Sequence, residues 1–299
     1  MNDMSAGSNP DSATIDAEAL AAAAAIVQVL DVQAERFETP CGDGHMVWRR
    51  WGEGPPVVLV HGGAGAWSHW IRNIEPLMER HTVWALDMPG LGESASPHEF
   101  TVEAIGAPIA EGIRRLLPED ESFDLVGFSF GGPVSAFAAS QLPGRVRHYV
   151  LAASRFVLED RNVFPRLMAW KSFEDPVERL AAHRRNLELM MITNVDRVDA
   201  LALQIQSTNA PRARFYGPKL QPGEKLHKFL PQVRAQSITA ISGKKDHVAM
   251  LIMDQQEAAL KSFHAHARFH AIDDVGHWVQ YEAAERFNEL LDEALHGEG

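Results

Sequence analysis

The sequence predicts an α/β fold, in which a mostly parallel sheet of about eight strands carries helices on both faces. Short apolar runs without polar alternation recur along the chain, which is typical of strands buried on both faces. Longer helix-like stretches separate these runs, as the crossover connections of a parallel sheet require. A glycine-containing turn at residues 42–44 joins two early strand-like stretches and predicts a hairpin that adds an antiparallel strand at one edge.

The individual elements follow from the same patterns in chain order. We expect strands at residues 36–39, 46–51, 57–60, 83–86, 123–126, 148–151, 238–241 and 268–272. We expect helices at residues 16–32, 70–80, 102–117, 133–142, 248–265 and 283–295.

Residues 155–231 interrupt this alternation. The stretch is helical in composition, contains several prolines and lacks a buried-strand pattern. Because it is too long for a loop, we expect an inserted helical cap above the C-terminal edge of the sheet. The core is then formed by residues 36–154 and 232–299. Residues 1–35 form an N-terminal extension, expected to be disordered to about residue 14 and helical thereafter.

Composition and charge narrow the function classes. Apolar residues make up 45% and charged residues 23% of the chain, as in soluble globular proteins. The formal net charge of -12 disfavours nucleic acid and anionic membranes as partners and leaves a small molecule as the expected one. The N-terminus lacks the basic region of a secretory signal, so we expect a cytoplasmic protein. A homo-oligomer is compatible with this composition.

A Gly-x-Ser-x-Gly pattern at residues 127–131 follows one predicted strand and precedes a helix. This context is typical of a nucleophile elbow, in which the chain turns so sharply that flanking side chains would clash. The serine oxygen then lies at a helix N-terminus, where negative charge is favoured. Chance supplies the five-residue pattern in roughly one chain in ten, so the strand and helix carry the prediction. Ser129 is the predicted nucleophile.

A glycine-rich loop, His61 to Gly65, follows the strand at residues 57–60. Acyl transfer needs backbone N–H donors aimed at the oxyanion, each worth about 3–4 kcal/mol in the transition state. We assign this role to the N–H groups of Gly63 and Phe130; the alternative is a tight turn without chemistry. His61 is an alternative base, but its position favours bracing the loop.

The base and the acid should follow in the order Ser, Asp, His. His277 comes shortly after the last predicted strand, at the sheet edge that carries Ser129. Asp246 follows the preceding strand, 31 positions before His277, and is expected to accept the Nδ1–H of that ring. Asp273 and Asp274 are the alternative acids. The competing histidines are His264, His266 and His270.

Other chemistries find less support. The only cysteine, Cys41, cannot form an internal disulfide, and no histidine partner can be assigned to it as a nucleophile. The histidines do not show metal-ligand spacing, and no Gly-x-Gly-x-x-Gly follows a strand. We therefore predict neither a metal nor a cofactor.

These motifs together resemble the α/β-hydrolase superfamily over nearly all of the chain after about residue 36. Five segments carry the resemblance in the right order: residues 61–63, 87–94 (Asp-Met-Pro-Gly-Leu-Gly-Glu-Ser), 127–132, 243–246 and 276–278. The resemblance implies the α/β-hydrolase fold and a serine hydrolase.

Within the superfamily, residues 276–282 are similar to the histidine region of meta-cleavage-product hydrolases. Those enzymes cleave a carbon–carbon bond in ring-fission products of aromatic degradation. They usually carry asparagine before the nucleophile, where this chain has Phe128, and a cap arginine for the substrate carboxylate. Around the corresponding stretch this chain has Leu-Gln-Ile-Gln at 203–206, with Arg212 and Arg214 further on. Both departures favour an uncharged ester over carbon–carbon cleavage.

The sequence thus predicts a carboxylic ester hydrolase with Phe128, Trp278 and Ala64 as substrate contacts. Apolar cap residues indicate either a pocket lining or packing within the cap; they are Phe164, Trp170, Met190, Met191 and Phe215. Three alternatives stay open: carbon–carbon hydrolysis, another acyl chemistry on the same triad (lactone or amide hydrolysis, acyl transfer), and a non-catalytic ligand receptor on the same fold.

Overall fold

The computed structural model describes residues 16–157, 165–215, 220, 222–249 and 252–296. Its centre is one eight-stranded sheet in the order β1-β2-β4-β3-β5-β6-β7-β8. The strands are β1 Glu35–Cys41, β2 Gly44–Trp51, β3 Pro56–Val60, β4 Thr82–Leu86, β5 Phe123–Phe128, β6 Val146–Ala152, β7 Ser237–Gly243 and β8 Arg268–Ile272. The predicted fold class and all eight predicted strands are confirmed.

The strand directions also follow the prediction. β1 and β2 form an antiparallel hairpin at one edge, and β2 pairs antiparallel with β4. The other six strands are parallel. Val60 pairs with Gly127 and Phe128 pairs with Ala152, so the carboxyl ends of β3, β5 and β6 are level. The loops after these strands therefore leave the sheet at one edge, as ligand-binding loops of parallel sheets do.

Helices cover both faces of the sheet. They are α1 Ala17–Gln33, α2 Ile74–Met78, α3 Val102–Leu116, α4 Gly131–Ser140, α5 Pro176–Asn186, α6 Ala200–Asn209, α7 Pro222–Phe229, α8 Met253–Phe263, α9 Val279–Glu282 and α10 Ala284–His296. Val58 and Val60 pack in one core cluster with α3 and α4. Val57 and Leu59 pack in the other with α2 and α10. This burial on both faces explains the unbroken apolar runs.

The helix predicted at residues 70–80 is shorter than expected. A 3-10 turn ends at Trp70, and α2 begins only at Ile74. Proline in a helix interior removes a backbone hydrogen bond, and the late start keeps Pro76 in the first turn. The Asn73 side chain donates instead to the carbonyl oxygen of Gln280 at 3.0 Å.

The predicted cap contains α5, a π-helical turn at Leu187–Met191 and α6. The last helix of the interval, α7, packs against the core helix α4, with the rings of Phe229 and Phe137 5.0 Å apart. This contact favours a cap that ends before α7. The domain boundary at residue 231 therefore stays a prediction, as does the division of the chain as a whole.

The N-terminal extension is helical where the structure describes it. Its helix, α1, packs against α6, which belongs to the predicted cap. The indole N–H of Trp51 donates to the carbonyl oxygen of Leu30 at 2.8 Å, and the buried Arg49 guanidinium donates to Asp31 at 2.5 Å. The predicted disorder before residue 15 lies outside the described residues. Within the described ranges, no helix is both long and apolar enough to cross a membrane.

Candidate active site

Ser129 stands between β5 and α4 with a φ of 52°, in the left-handed region that a non-glycine residue rarely adopts. Its neighbours have no room for a side chain. A Cβ at Gly127 would lie 2.3 Å from Oγ of Ser135, and one at Gly131 would lie 2.5 Å from the carbonyl oxygen of His61. The sharp turn predicted from the glycines is therefore present, and its strain is held by packing on both sides.

The structure brings the three predicted residues together. Nε2 of His277 lies 2.7 Å from Oγ of Ser129, and Nδ1 lies 2.8 Å from Oδ2 of Asp246. With Nδ1 donating to the carboxylate, Nε2 is free to accept the serine proton. The Asp246 side chain is fixed in turn, because Oδ1 accepts the N–H of Val248 at 2.8 Å. His277 and Asp246 are buried, whereas Ser129 is partly exposed.

The alternative acids are turned away from this row. Asp273 and Asp274 keep 80% and 81% of their side-chain surface exposed and form ion pairs with Lys244 and Lys245. Asp246, at 1% exposure, is the carboxylate on the His277 ring.

His61 braces its loop, as predicted. Its Nε2 accepts the N–H of Met88 at 2.9 Å, and its Nδ1 lies 2.7 Å from the carbonyl oxygen of Gly62. Burial lowers the pKa of His61 more than nearby Asp87 raises it, so the ring is neutral near neutral pH.

Two further alternatives also have structural partners. The Cys41 thiol lies 3.5 Å from the carbonyl oxygen of Ala95, and burial raises its pKa, so it stays protonated. Nε2 of His264 lies 2.9 Å from the carbonyl oxygen of Leu230. Among the described residues, no three or more His, Cys, Asp or Glu side chains are grouped so as to hold a metal ion.

The glycine loop lies directly beside the elbow. A Cβ at Gly62 would be 3.4 Å from Cβ of Ser129, and one at Gly63 would be 3.7 Å from Cβ of Phe130. The two residues predicted to supply oxyanion donors are therefore neighbours, and their role as donors stays a prediction. Ala64 is exposed, with a φ of 52°, which is compatible with the predicted substrate contact.

The packing of Phe128 and Trp278 corrects their predicted role as substrate contacts. The Phe128 ring is 1% exposed and packs 5.4 Å from the ring of His277. Trp278 is fully buried, stacks on Tyr281 at 4.3 Å and donates its indole N–H to the carbonyl oxygen of His69 at 3.0 Å. Almost no surface of either side chain is left for a ligand; Phe128 packs on the ring of His277, and Trp278 packs on His69 and Tyr281.

His69 is a site residue that the sequence did not reveal. Its buried ring lies 5.5 Å from that of Phe128 and 5.0 Å from that of Trp278. Its Nδ1 accepts the N–H of Gly62 at 3.3 Å. Burial lowers the pKa of His69 well below 6.5, with smaller contributions from His61 and His277, so the ring acts as a neutral acceptor. No local motif marks this residue, because its contacts come from three separate loops.

The apolar residues of the predicted cap pack against different neighbours. Phe215 lies 5.7 Å from the ring of Phe130, next to the nucleophile. Trp170 packs instead on His183 within the cap at 4.7 Å. Met191 is partly buried against the core, and Met190 is half-buried. Phe164 lies outside the described residues.

The two cap arginines noted in the sequence bind main-chain or carboxylate oxygens. Arg214 donates from its side chain to the carbonyl oxygen of Ser94 at 2.5 Å and from its backbone N–H to Gly90 at 3.1 Å. Arg212 lies 3.9 Å from Glu93. These contacts are with the loop after β4, so neither guanidinium is aimed at the Ser129 hydroxyl.

Comparison with known proteins agrees with this geometry. Residues 55–284 match a family model described as alpha/beta hydrolase fold. The chain belongs to the α/β-hydrolase family. This α/β hydrolase is 30% identical to the 2-hydroxymuconate semialdehyde hydrolase of Pseudomonas sp. (strain CF600), over 82% of this chain and 88% of that protein.

Two further similarities extend the comparison. The 2-hydroxy-6-oxo-2,4-heptadienoate hydrolase of Pseudomonas putida (strain F1) is 31% identical, over 83% of this chain and 91% of that protein. Among solved structures, a bacterial membrane phospholipase A superposes with a TM-score of 0.72 and 19% identity, over 93% of this chain and 91% of that chain. At that identity the likeness shows the fold alone.

Proposed function

We propose that this α/β hydrolase cleaves a carboxylic ester through an acyl-enzyme on Ser129. One observation carries the proposal: the hydrogen-bonded row from Ser129 through His277 to Asp246, at 2.7 Å and 2.8 Å. A serine hydroxyl is a weak nucleophile until an oriented base accepts its proton. The partly exposed hydroxyl faces the substrate side, while the base and acid are buried behind it.

The reaction runs in two halves. In the first, Oγ of Ser129 bonds to the acyl carbon as its proton passes to Nε2 of His277. The ester carbon–oxygen bond then breaks, and the alcohol leaves with that proton. In the second, a water gives a proton to His277 and its oxygen attacks the acyl carbon. The carboxylic acid leaves, and Ser129 recovers its proton. The N–H groups of Gly63 and Phe130 would stabilise both oxyanions.

The placement of Arg212 and Arg214 supports an uncharged ester as the substrate. The two cap arginines of the corresponding stretch bind oxygens of the loop after β4. Phe128, where related carbon–carbon hydrolases usually carry an asparagine, offers no hydrogen bond. Neither of these two arginines nor Phe128 is therefore placed to bind a substrate carboxylate as the corresponding residues of those enzymes do.

Carbon–carbon hydrolysis is the second candidate, and the relatives favour it. The printed names of the 30% and 31% identical relatives describe hydrolases of 2-hydroxymuconate semialdehyde and of 2-hydroxy-6-oxo-2,4-heptadienoate. The likeness around His277, at residues 276–282, points the same way.

We also propose that the substrate is a small molecule, in line with the acidic net charge, and that the protein acts in the cytoplasm.

A direct comparison tests the choice. We would measure kcat/KM of the full-length protein for p-nitrophenyl butyrate and for 2-hydroxymuconate semialdehyde in one preparation, with Ser129→Ala as the blank. We expect the ester to be the better substrate. A higher value for the semialdehyde would replace the ester proposal by carbon–carbon hydrolysis. If a fluorophosphonate failed to label Ser129 in the folded protein, both would fall and the receptor alternative would gain.

A further inference from the structure

Glu282 is a buried carboxylate at the end of α9, with 2% of its surface exposed. Its Oε2 accepts two backbone N–H groups, from Gly276 at 2.7 Å and from Thr193 at 3.1 Å. Its Oε1 accepts the N–H of Asn194 at 2.7 Å. Gly276 directly precedes His277, whereas Thr193 and Asn194 belong to the predicted cap. One side chain therefore joins the cap to the peptide before the base.

The cap segment Met191–Asn194, here called the cap strut, is bonded to both loops that carry the base and the acid. The N–H of Trp278 donates to the carbonyl oxygen of Met191 at 2.7 Å. The hydroxyl of Thr193 donates to the carbonyl oxygen of Lys245 at 3.1 Å, next to Asp246. The strut thus touches the residues adjacent to His277 and Asp246 on one side of the site.

The strut and the base loop approach so closely that only glycine fits between them. A Cβ at Gly276 would lie 2.7 Å from Oγ of Thr193 and 2.9 Å from its backbone nitrogen. Distances below 3.0 Å force one of the two segments to move. The strut and the base loop are therefore in direct contact at Gly276.

The remainder of α9 is also held by cap and core. The Tyr281 hydroxyl donates to Asp199 at 2.5 Å, and the Arg72 guanidinium lies 3.9 Å from the centre of the Tyr281 ring. Arg72 also pairs with Asp199 at 2.6 Å. Arg197 donates to the carbonyl oxygen of Glu282. The short helix that follows His277 has cap contacts at both Tyr281 and Glu282.

The need for a carboxylate follows from its three donors. Removing a charge from water costs several kcal/mol unless hydrogen bonds compensate it, and N–H bonds to an ionised acceptor are about twice as strong as neutral ones. Two of the three donors belong to the strut. If the strut moved away, Glu282 would keep only the N–H of Gly276, which would favour rearrangement of the base loop.

We propose that Glu282 is a positioning residue that couples docking of the cap strut to the orientation of His277. The proposal rests on the proposed serine hydrolase function. Glu282 does not touch the reacting atoms; it holds the peptide before the base and the strut in one arrangement. Substrates that shift the cap would then change the geometry of the base, so Glu282 links substrate binding to acyl transfer.

The test uses Glu282→Gln in the full-length protein. Glutamine keeps one acceptor oxygen, but its NH₂ group must face an N–H donor, so at least one link between strut and base loop is lost. We expect kcat for the p-nitrophenyl ester and the rate of Ser129 labelling by a fluorophosphonate to fall by about 10- to 100-fold, since small misplacements have effects of that size. KM should change less than kcat.

Glu188→Gln is the matched control. Glu188 is a cap carboxylate that pairs with Arg184 at 3.2 Å and Arg185 at 3.1 Å. We expect it to leave kcat and labelling unchanged. Hydrogen exchange gives a second readout: in E282Q either the Asn194 amide, bound to Oε1, or the Gly276 and Thr193 amides, which share Oε2, should lose protection, because glutamine keeps only one acceptor oxygen.

Thr193 keeps the proposal testable if E282Q does not fold. Thr193→Val removes only the hydroxyl link to Lys245 and should lower kcat, while Thr193→Ser should restore it. Wild-type kcat and labelling in folded E282Q would overturn the positioning role of Glu282, and wild-type values in Thr193→Val would overturn the dependence of catalysis on the docked strut. Wild-type protein that resists the fluorophosphonate would instead refute the proposed function itself.

Discussion

The hydroxyl oxygen of Ser129 and Nε2 of His277 lie 2.7 Å apart, although 148 positions separate the two residues in the chain. Each is carried by a loop at the same edge of the parallel sheet, after β5 and after β8 respectively. The level ends of the neighbouring strands bring these loops together. The predictions below test what this contact and its surroundings do.

Replacement of Ser129 by alanine should remove the nucleophile and leave the fold intact. We expect kcat for the p-nitrophenyl ester to fall by about 10⁴-fold or more. Ser140→Ala, at the end of the helix α4 that follows Ser129 and with its hydroxyl bonded to the carbonyl oxygen of Phe137, should retain full activity. Steady-state kinetics beside thermal unfolding curves would check both. Substantial ester turnover by S129A would contradict the assignment.

Asp246→Asn should be nearly as damaging, because the amide cannot stabilise the imidazolium and favours the wrong tautomer of His277. The expected loss in kcat is about 10⁴-fold. Asp273→Asn and Asp274→Asn are the matched controls, since both carboxylates are about 80% exposed and pair with lysines. If either control lost activity while D246N kept it, the acid would have to be reassigned.

Phe128→Asn tests whether this position selects the reaction. Because the ring is 1% exposed and packs on His69, Trp70 and His277, its loss should lower the free energy of unfolding by about 3 kcal/mol or more. We expect ester turnover to fall without any gain in carbon–carbon hydrolysis. Phe128→Leu should cost less in both stability and activity. A gain of semialdehyde turnover in F128N would show that the position selects the reaction.

Stability should fall in mildly acidic solution because of buried histidines. Burial lowers the pKa of His61 and of His69 below the value of 6.5 expected in the unfolded chain. As pH falls below that value, the unfolded state binds protons that the folded state does not, so the free energy of unfolding decreases. Full protonation of one such group in the unfolded state alone gives a slope of about 1.4 kcal/mol per pH unit.

His69→Gln should therefore flatten this dependence, whatever its effect on stability at neutral pH. Urea unfolding at a series of pH values from about 7 to 5 would measure the slope. His98→Gln is the control, because its side chain is 73% exposed. An unchanged slope in H69Q would mean that His69 is protonated in the folded state.

The sheet and the serine–histidine–aspartate row could be predicted because their signals are local. Runs such as Val57 to Val60 are apolar throughout, and the motifs directly follow such strands. The direction of Phe128 could not be predicted in the same way. A strand buried on both faces has no polar alternation to show which side chains face the core and which face a substrate. The sequence therefore predicts a substrate contact for Phe128, whereas its ring is buried against His277.

The supporting residues were missed for a different reason. Glu282 bonds to Thr193 and Asn194 across 89 and 88 positions of sequence, and His69 contacts residues of two distant loops. Glu282 lies in the segment 276–282 that carries a family resemblance, but the local sequence does not show which groups it or His69 contacts. Only the folded chain brings their partners together. The break before α2 also depends on distant residues, because the Asn73 side chain donates hydrogen bonds to Gln280 in α9 and to Asn288 in α10.

The close contact between the cap strut, Met191–Asn194, and Gly276 has a consequence for engineered chimeras. A cap transplanted from a relative would bring its own substrate pocket. Its backbone N–H groups would also have to reach the carboxylate of Glu282 at the end of the recipient's α9. Because the strut lies between α5 and α6, a graft that spans both helices would replace one half of that junction, whereas a graft confined to α6 would leave it untouched. Transfer of a whole cap should therefore keep turnover only when residues 276–282 are exchanged together with it.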